Sequence, residues 1–489
     1  MNNINIKLIV ILLTGCLFAA CKKELNVFPT TSEVDGNVIV DQSSAQVVLN
    51  GVYYKFADAG KDAYNVPTIF WTDVNEIFPS ELTNAAVNSS GNDGIYSFTF
   101  NASSVPTVGT TPVDIQWKYG YALVNAANGF IKNITPVTNI PAAAKTQMLA
   151  EAKFLRAYGD SQLLLYYGQY NDPSSKYGII LRDTFVTTAN VNYPRSSVAV
   201  AYASILADLN GAIAGLPTLN SAIYYANASD AKLLKARVLM NRGASGDYAQ
   251  VISLTNDIIT NGPFALEDSL KDIFLTKGFT SKEVMLAAQP YTTENYKYQE
   301  NQLFGQYRPS DSLITLLKND SRNQWVYKTV KSPYYGLINT IAKYYSGPAG
   351  GAIAQTPLVE NCYAFRLSEA YLLESEAITL SGGNLTTAKT LLTTVMSHAG
   401  AGAQEFAAVA NANTAAALQL QIVKENMRNF VFENGLDWFA LRRLGISGNT
   451  LNIKAIEAIN PFIKDVTRLI LPIPYSETVI NPVLQNPGY

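Results

Sequence analysis

Apolar residues recur every three or four positions over most of the chain, and this spacing predicts a mostly helical fold. The clearest helix runs from Pro141 to Tyr167, because proline is well tolerated in the first turn of a helix. The apolar or small residues that share one face of it are Met148, Ala152, Leu155, Gly159 and Leu163. Phe154 and Leu165 fall on other faces, so we expect this helix to be covered on more than one side.

Two later stretches each predict a pair of helices joined by a short glycine-containing turn. In chain order, these helices are expected over 231–241, 248–259, 366–380 and 385–397. Asp247 is expected to cap the second of them, and the fourth should end near Gly400. A helix, a tight turn and a second helix are typical of tetratricopeptide-like repeats, although the full consensus of those repeats is absent.

Three stretches lack the helical period. Residues 84–114 are rich in Asn, Ser, Thr and Gly, and the alternation at 96–100 predicts a short strand pair inside a long loop. Residues 287–350 combine many tyrosines with Pro and Gly, which predicts irregular structure. The prolines of residues 470–489 exclude a helix, so we expect an extended tail with a turn at Pro487 and Gly488.

The N-terminus has the three-part layout of a signal peptide. Lys7 is followed by the apolar run 8–13, and small residues lead up to Cys21, so we expect residues 1–20 to be removed. The apolar run is shorter than the roughly 20 residues that cross a bilayer, and no later stretch comes near that length. The mature chain is therefore expected to lack a transmembrane helix.

Small residues directly before a cysteine are similar to the lipobox of bacterial lipoproteins, in which the cysteine is acylated and becomes the new N-terminus. Two cysteines compete for this role, Cys16 and Cys21. Cleavage before Cys16 would leave an apolar core of about six residues, below the usual range of about 7–15. Cys21 leaves a core of normal length and is therefore the favoured lipidation site, with Cys16 as the alternative. Secretion of an unacylated chain is a third alternative.

Composition excludes several classes of function. The chain has 36 Lys and Arg against 38 Asp and Glu, and this balance argues against nucleic-acid binding. The single histidine, His398, excludes catalytic sites that need two histidines and zinc sites of the usual His/Cys kind. We therefore expect no cofactor and no metal. Charged residues make up only 15%, so neutral polar side chains must cover much of the surface.

Six blocks of the chain carry motifs that occur together in one known family. The blocks are Leu49, Gly51 and Tyr53; Trp117, Tyr121, Ala127 and Asn128; 150–158 (AEAKFLRAY); 366–377; 425–445; and the tail 471–489. In this order they resemble the SusD/RagB family of nutrient-uptake outer-membrane lipoproteins. The tail, which begins Leu-Pro-Ile-Pro and ends Asn-Pro-Gly-Tyr, is the most specific block. Asn429 and Ala440 depart from the family pattern.

The resemblance implies a mostly α-helical body over residues 21–489. In it, tetratricopeptide-like helical pairs form one layer, and a variable, loop-rich region packs on that layer. By residue number, the helical layer is expected mainly at 40–60, 115–265 and 360–445, the variable ligand region mainly at 65–114 and 287–350, and the extended tail at 470–489.

The resemblance also implies a binding role without catalysis. Family members lie at the outer membrane, facing outward, where they cap a SusC-like TonB-dependent barrel transporter and deliver bound glycans to it. The expected ligand is an oligosaccharide or polysaccharide, and the expected partner is such a transporter. The membrane would be contacted through the lipid anchor only.

Carbohydrate recognition needs flat aromatic rings together with neutral hydrogen-bonding groups. The irregular stretches supply both, so the ligand-binding residues are predicted there, although no family motif transfers to individual positions. The predicted residues are Trp71, Asp73, Asn75, Tyr96, Tyr296, Tyr298 and Trp325.

Three other classes of function are alternatives. An oligopeptide-binding lipoprotein would use apolar pockets and backbone-pairing strand edges. A helical-repeat scaffold would bind no small ligand. A secreted glycosidase would need two acids, for which Glu433 with Asp437, or Glu374 with Glu376, could be proposed. Both pairs stand near arginines, so structural ion pairs are the preferred interpretation.

Overall fold

The structure, a computed structural model, describes residues 38–57, 59–61, 67–69, 71–89, 112–288, 290, 293–447, 450–451 and 453–489. The predicted signal peptide, both candidate lipidation cysteines (Cys16 and Cys21), Tyr96 and the predicted strand pair at 96–100 lie outside these residues.

Helices make up most of the described residues, as the helical period predicts. The α-helices are α1 Gln42–Phe56, α2 Phe78–Leu82, α3 Pro112–Ile134, α4 Ala142–Tyr167, α5 Val198–Gly215, α6 Ala228–Arg242, α7 Asp247–Asn261, α8 Leu270–Asp272, α9 Asp311–Leu316, α10 Leu367–Leu380, α11 Leu385–Ala399, α12 Ala403–Ala410, α13 Ala415–Asn429, α14 Leu436–Arg443, α15 Ile453–Glu457 and α16 Tyr475–Ile480. Helical turns of the π type lie at Thr72–Ile77, Ile273–Lys277 and Lys297–Leu303, and turns of the 3₁₀ type at Gly278–Thr280, Ser321–Gln324 and Val466–Leu469.

The strands of the described residues are short and pair in twos. They are β1 Ala59–Lys61, β2 Pro67–Ile69, β3 Ala86–Asn88, β4 Val284–Ala288, β5 Tyr307–Pro309, β6 Tyr327–Ser332, β7 Gly336–Ile341, β8 Cys362–Arg366, β9 Ile446–Ser447 and β10 Thr450–Leu451. The antiparallel pairs are β1 with β2, β3 with β5, β4 with β8, β6 with β7, and β9 with β10.

The long helices form an array in which each helix packs on the next one along the chain. Helix α1 contacts α3, α3 contacts α4, α4 contacts α5, α5 contacts α6, and α6 contacts α7. Helix α7 then contacts α10, and α10 contacts α11 and α13. Residues Ala152, Leu155 and Gly159 of α4 share its buried side, and Phe154 is buried as well, so α4 is covered on more than one side as predicted. The array therefore supplies most of the hydrophobic core.

The helix pair α6 and α7 has the predicted layout, but Asp247 is not its cap. Gly246 occupies the N-cap position of α7, and Asp247 is the first helical residue. The Asp247 carboxylate binds the Arg242 guanidinium, with Nη2 to Oδ1 at 2.6 Å, and accepts the Ala244 N–H at 2.8 Å. It therefore closes the turn between the two helices. Gly243 ends α6 at φ +60°, a conformation that favours glycine.

The tail contains a short helix, α16, which the sequence analysis excluded. Pro474 stands at its N-cap, where the missing N–H costs no hydrogen bond. Pro472 and Pro474 precede the helix and Pro482 follows it, so no proline interrupts it. The last residues are extended and held against α4, because the Asn486 side chain donates to the Tyr167 carbonyl at 2.8 Å. The predicted turn is present, with Gly488 at φ +94°.

The chain leaves the helical array after α7 and returns to it at α10. Because α7 packs directly on α10, residues 262–366 form an insertion on the array. Buried ion pairs fasten the insertion to segments outside it: Lys343 binds Glu433, and Lys297 Nζ lies 2.9 Å from Oε1 of Glu76. The tyrosine-rich stretch 287–350 falls within this insertion.

One helix of the described residues, α5, is long and apolar enough to cross a membrane by length and composition. In the array it packs against α4 and α6. The residues it buries there are Val198, Ala201, Tyr202, Ile205, Asp208, Leu209 and Ala212. In this packing 39% of the helix is buried inside the protein. The expectation that no later stretch approaches the length of a membrane span did not take this helix into account.

Candidate functional site

The predicted ligand residue Trp71 lies in the hydrophobic core. Its side chain is 0% exposed. Its ring meets Phe56 edge-on, with centroids 5.1 Å apart, and stacks with Tyr158 at 6.4 Å. In this conformation Trp71 offers no ring face to a ligand.

Asp73 and Tyr296, which are distant in sequence, come together. The Tyr296 hydroxyl lies 3.0 and 2.9 Å from the two carboxylate oxygens of Asp73. Asn75 is buried and accepts a hydrogen bond from the Tyr158 hydroxyl at 3.2 Å. The hydrogen bonds between Asp73 and Tyr296 therefore link the π-helical turn Thr72–Ile77 to the residue just before the turn Lys297–Leu303.

The rings of Tyr298 and Trp325 also pack against other residues of the protein. Tyr298 is partly buried against the main core. Trp325 is 6% exposed and stacks on Phe274, with ring centroids 5.8 Å apart. The described part of the predicted set thus forms one connected pair, Asp73 with Tyr296, and several rings whose faces are covered.

Exposed aromatic rings occur instead at the tip of the β6–β7 hairpin. Tyr334 is 63% exposed and Tyr335 is 61% exposed, and both stand in the turn. Phe304, which follows the turn Lys297–Leu303, stacks on Tyr334 with centroids 5.3 Å apart and planes 29° apart. Leu337 is 69% exposed beside them. We call these four residues, Phe304, Tyr334, Tyr335 and Leu337, the aromatic hairpin surface.

The hairpin is regular, whereas the sequence analysis predicted irregular structure here. Ser332 pairs with Gly336, which leaves a loop of Pro333, Tyr334 and Tyr335. Gly336 has φ +70°, which matches the left-handed residue that follows such three-residue loops. The strands alternate between buried and exposed positions, because one face packs on a core of its own. That core consists of Val330, Ile338, Ala342 and Tyr345, with Ile353 packed against it.

Ser332 fixes the position of the two exposed tyrosines. Its hydroxyl accepts the Tyr334 N–H at 3.1 Å and the Tyr335 N–H at 3.3 Å. The same hydroxyl donates to the Leu303 carbonyl at 2.8 Å, so the hairpin tip is tied to the π-helical turn. The rings are therefore presented on a rigid support.

The π-helical turn Lys297–Leu303 is itself anchored. The Glu360 carboxylate accepts the backbone N–H groups of Lys297 and Tyr298, both at 2.9 Å. Burial raises the pKa of Glu360 to about 7, because a charged carboxylate loses hydration there, while the two N–H groups act in the opposite direction. Turns of the π type are frequent at functional sites.

Of the four carboxylates considered for hydrolysis, Glu374 has no ion pair among the described residues, and burial raises its pKa. The other three are engaged in structural contacts. Glu433 binds Lys343 and the Arg366 guanidinium, with Nε to Oε2 at 2.6 Å. Glu376 binds Arg443 at 2.7 Å. The interpretation of these two acids as ion-paired is confirmed. Asp437 differs, because its carboxylate accepts the Ser80 hydroxyl at 2.8 Å and burial raises its pKa to about 6.

Among the described residues, no group of three or more His, Cys, Asp or Glu side chains could hold a metal ion. Cys362 is buried, as expected for a small apolar side chain. The exposed face of the hairpin carries aromatic rings and neutral polar groups, since Thr329 donates to Asn339 at 2.7 Å, together with one cation, Lys331, opposite Leu337. Such a surface can bind by stacking and hydrogen bonding.

The sequence analysis counted Tyr334 and Tyr335 in the tyrosine-rich stretch but did not select them. A usable signal was present in Ser-Pro-Tyr-Tyr-Gly between two short runs that contain several β-branched residues, Tyr327–Ser332 and Gly336–Ile341. Glycine after a short polar or proline-containing loop indicates a hairpin. Rings in the loop of a hairpin are exposed more often than rings at alternating strand positions, which face a core.

Two family models match the chain. The model described as "SusD family" matches residues 330–489, and the model described as "Starch-binding associating with outer membrane" matches residues 44–238. The chain belongs to the SusD/RagB family. SusD-like proteins are binding proteins associated with the outer membrane and glycan uptake, and they work with SusC-type transporters.

Solved structures confirm the SusD-like fold. A SusD superfamily protein from Bacteroides thetaiotaomicron aligns with a TM-score of 0.71 at 20% identity, over 92% of this chain and 100% of that chain. One from Parabacteroides distasonis aligns with a TM-score of 0.72 at 17% identity, over 92% and 99%. NanU of B. fragilis aligns with a TM-score of 0.68 at 19% identity, over 95% and 100%. A search of curated protein sequences finds no match.

Proposed function

We propose that this SusD-like chain is an outer-membrane lipoprotein, acylated at Cys21, that binds an oligosaccharide or polysaccharide on the aromatic hairpin surface. It delivers the glycan to a SusC-like TonB-dependent barrel transporter and carries out no bond-making step itself. The family membership supports the outer-membrane and transporter parts of this proposal.

The observation that carries the glycan part is the exposure of Tyr334 and Tyr335. Large rings that are more than half exposed next to exposed Leu337 leave apolar surface in water, and such patches mark binding sites. The C–H faces of a pyranose pack on flat rings, and hydroxyls can bond to neutral side chains. Asn339 and Thr329 supply such side chains on the same strand pair.

The predicted residues Asp73 and Tyr296 have a positioning role in this proposal. Their hydrogen bonds hold the start of the turn Lys297–Leu303, and Phe304 follows that turn and stacks on Tyr334. Loss of the Asp73 carboxylate would loosen the support of the rings without removing a ring. Trp71, Asn75 and Trp325 are buried and Tyr298 is partly buried, so none of them is a ligand contact in this proposal, and Tyr96 stays a prediction.

A glycan array probed with the purified protein tests the class of ligand. The wild type should bind one group of glycans that share a linkage, and the double variant Tyr334→Ala/Tyr335→Ala should lose that signal. Tyr475→Ala is the matched control, because Tyr475 is also an exposed tyrosine (43%) but lies on α16. It should bind like the wild type.

Two outcomes would reject the glycan proposal. One is binding to an oligopeptide library with no binding to any glycan, which would favour the oligopeptide alternative. The other is glycan binding that survives in the double variant, because the rings would then be irrelevant to the ligand.

Metabolic labelling with a radioactive fatty acid tests the anchor. The wild type and Cys16→Ala should incorporate label, and Cys21→Ala should not. Label that is lost only with Cys16→Ala would move the anchor to Cys16, and a wild type without label would contradict the lipoprotein proposal.

A further inference from the structure

A small polar cavity of about 240 Å³ lies in the helical array, among residues that the aromatic hairpin surface does not share. It is formed by α1, α4 and the connection between α5 and α6. Its polar lining consists of Gln46, Gln147, Glu151, Asn220, Ser221 and Tyr225. Pockets for drug-sized ligands measure about 300–1,000 Å³, so this cavity suits a smaller molecule.

Several hydrogen-bonding groups of the cavity have capacity left. The amide N–H of Gln147 donates to Glu151 Oε1 at 3.1 Å and to Asn220 Oδ1 at 3.3 Å. Within the described part of the chain, neither the Gln147 amide oxygen nor the Ser221 hydroxyl has a hydrogen-bond partner. Gln46 likewise donates to Asn50 at 3.0 Å and keeps its amide oxygen available. Residues with available amide oxygens and a hydroxyl thus line one small space.

The charge of the lining residues restricts the class of ligand that the cavity can bind. Of the described residues that line it, only Glu151 carries a charge, so the lining offers no cation to bind an anion. A divalent metal needs several oxygen ligands with more than one carboxylate, which this lining does not provide. Burial raises the pKa of Glu151, and the hydroxyl of Tyr53 donates to its Oε2 at 2.7 Å. Both carboxylate oxygens of Glu151 already accept hydrogen bonds, from the Tyr53 hydroxyl and from the Gln147 amide. The groups left for a ligand are amide oxygens and a hydroxyl, which suit a neutral molecule rich in hydroxyl groups.

Tyr225 supplies a ring in a fixed position. Its hydroxyl donates to Asn50 at 2.9 Å, and the Tyr53 ring meets it edge-on with centroids 5.0 Å apart. The loop that carries it is closed by two hydrogen bonds at 2.9 Å, from Asn220 Nδ2 to the Ala226 carbonyl and from the Ala228 N–H to the Pro217 carbonyl. A preorganised loop lowers the entropy cost of binding.

We infer that this cavity binds a single neutral sugar ring, at a second saccharide site separate from the aromatic hairpin surface. One sugar ring fits the volume of the cavity. Its hydroxyls can form hydrogen bonds with the amide oxygens and the Ser221 hydroxyl, and its C–H face can stack on the Tyr225 ring. The inference does not depend on which ligand the hairpin takes.

Saturation-transfer NMR and calorimetry on the full-length protein, in a detergent without a sugar headgroup, test this site. The probes are D-glucose, D-galactose and N-acetyl-D-glucosamine. At least one should bind the wild type with a millimolar dissociation constant. Gln147→Leu and Ser221→Ala should each weaken binding about three- to tenfold, the loss expected for one or two hydrogen bonds. Gln250→Leu, the same change at an exposed position of α7, is the control and should bind like the wild type.

The outcomes that overturn the inference are distinct from those that reject the proposed function. The absence of binding of all three sugars to the wild type would show a cavity that holds only water. Monosaccharide binding that disappears in Tyr334→Ala/Tyr335→Ala but persists in Gln147→Leu would place the sugar on the hairpin alone. Binding that the hairpin variant keeps and Gln147→Leu weakens supports the second site, even if the array rejects the hairpin.

Discussion

The ring of Trp71 has no exposed surface, whereas Tyr334 is 63% exposed. Both aromatic residues lie in stretches that were predicted from the sequence to be irregular. Removing a buried ring leaves a cavity, and removing an exposed ring leaves only solvent. The two residues should therefore respond to substitution in opposite ways, one in stability and the other in binding.

Trp71→Ala should lower the free energy of unfolding by about 3–5 kcal/mol, because the ring is lost from contacts with Phe56 and Tyr158. Tyr334→Ala should change it by no more than about 0.5 kcal/mol. Urea denaturation of both variants measures this. A stable Trp71→Ala protein that fails to bind ligand would instead make Trp71 a contact residue.

Glu360 gives a pH-dependent prediction. Burial raises its pKa from the ordinary 4.5 to about 7 in the folded protein, so the folded state binds the proton more tightly than the unfolded state does. The free energy of unfolding therefore rises as the pH falls from 7 towards the unfolded pKa, by about 1.4 kcal/mol for each pH unit. Glu360→Gln lacks this titration.

The wild type should thus gain about 2–3 kcal/mol relative to Glu360→Gln between pH 7.5 and 4.5. Denaturation of both proteins at the two pH values measures the difference, in which the other acids cancel. Equal differences at both pH values would show that Glu360 is not perturbed.

Residue type alone could not distinguish the buried ring of Trp71 from the exposed ring of Tyr334. The stretch around Trp71 was expected to be irregular, and this was wrong, because residues 71–82 form a π-helical turn followed by α2. Asp73 and Tyr296 were selected from stretches that were both interpreted as irregular. Burial of Trp71 depends on Phe56 and Tyr158, which arrive from α1 and α4. Such long-range contacts leave no local pattern in one sequence.

At the scale of elements, the β6–β7 hairpin is the part that the sequence analysis missed. Helix pairs were predicted because apolar spacing and glycine turns are local signals, and Gly243 and Gly400 end helices α6 and α11 as expected. Tyrosines at both loop and strand positions obscured the two-residue alternation of the hairpin. The helix α16 was missed because the prolines were weighed without regard to their position before its first turn.

Ser332→Ala tests the support of the exposed tyrosines. The change removes the acceptor for the Tyr334 and Tyr335 N–H groups and the link to the Leu303 carbonyl. Amide hydrogen exchange at Tyr334 and Tyr335 should become faster, and ligand affinity should fall by about three- to tenfold, because the rings lose their fixed position.

Lys331→Gln, on the exposed side of the same strand, is the control and should leave the exchange rates unchanged. Unchanged exchange in Ser332→Ala would show that the turn holds its shape without this hydroxyl.

At the scale of the whole molecule, buried charges join the insertion to the helical array. Glu433 is 2% exposed and binds two cations of the insertion, Lys343 and Arg366, the last residue of β8. Burial lowers the pKa of Lys343 to about 8, which marks the cost of placing this cation in the interior. The pairing must offset that cost, so loss of the Glu433 carboxylate leaves the buried Lys343 cation without its counter-charge.

Glu433→Gln should lower the free energy of unfolding by about 3–5 kcal/mol while unfolding stays a single transition. Glu457→Gln is the matched control, since the Lys464–Glu457 pair is largely exposed and contributes at most about 1 kcal/mol. Thermal unfolding followed by circular dichroism measures both. An early separate transition in Glu433→Gln would mean that the insertion and the array fold independently.

The helical array and its family were accessible from sequence because the motif blocks lie in helices and in the tail. No such motif indicates a surface for the proposed transporter partner. The extended insertion, residues 262–366, was visible only as a change of composition, and its attachment to α7 and α10 comes from the structure.

Calorimetric titration of the array-selected glycan into the wild type and into Tyr334→Ala/Tyr335→Ala measures whether the exposed tyrosines bind the ligand. We expect saturable binding to the wild type and a dissociation constant at least about tenfold larger in the double variant, with equal stability of the two proteins. Equal dissociation constants in both proteins would contradict this expectation.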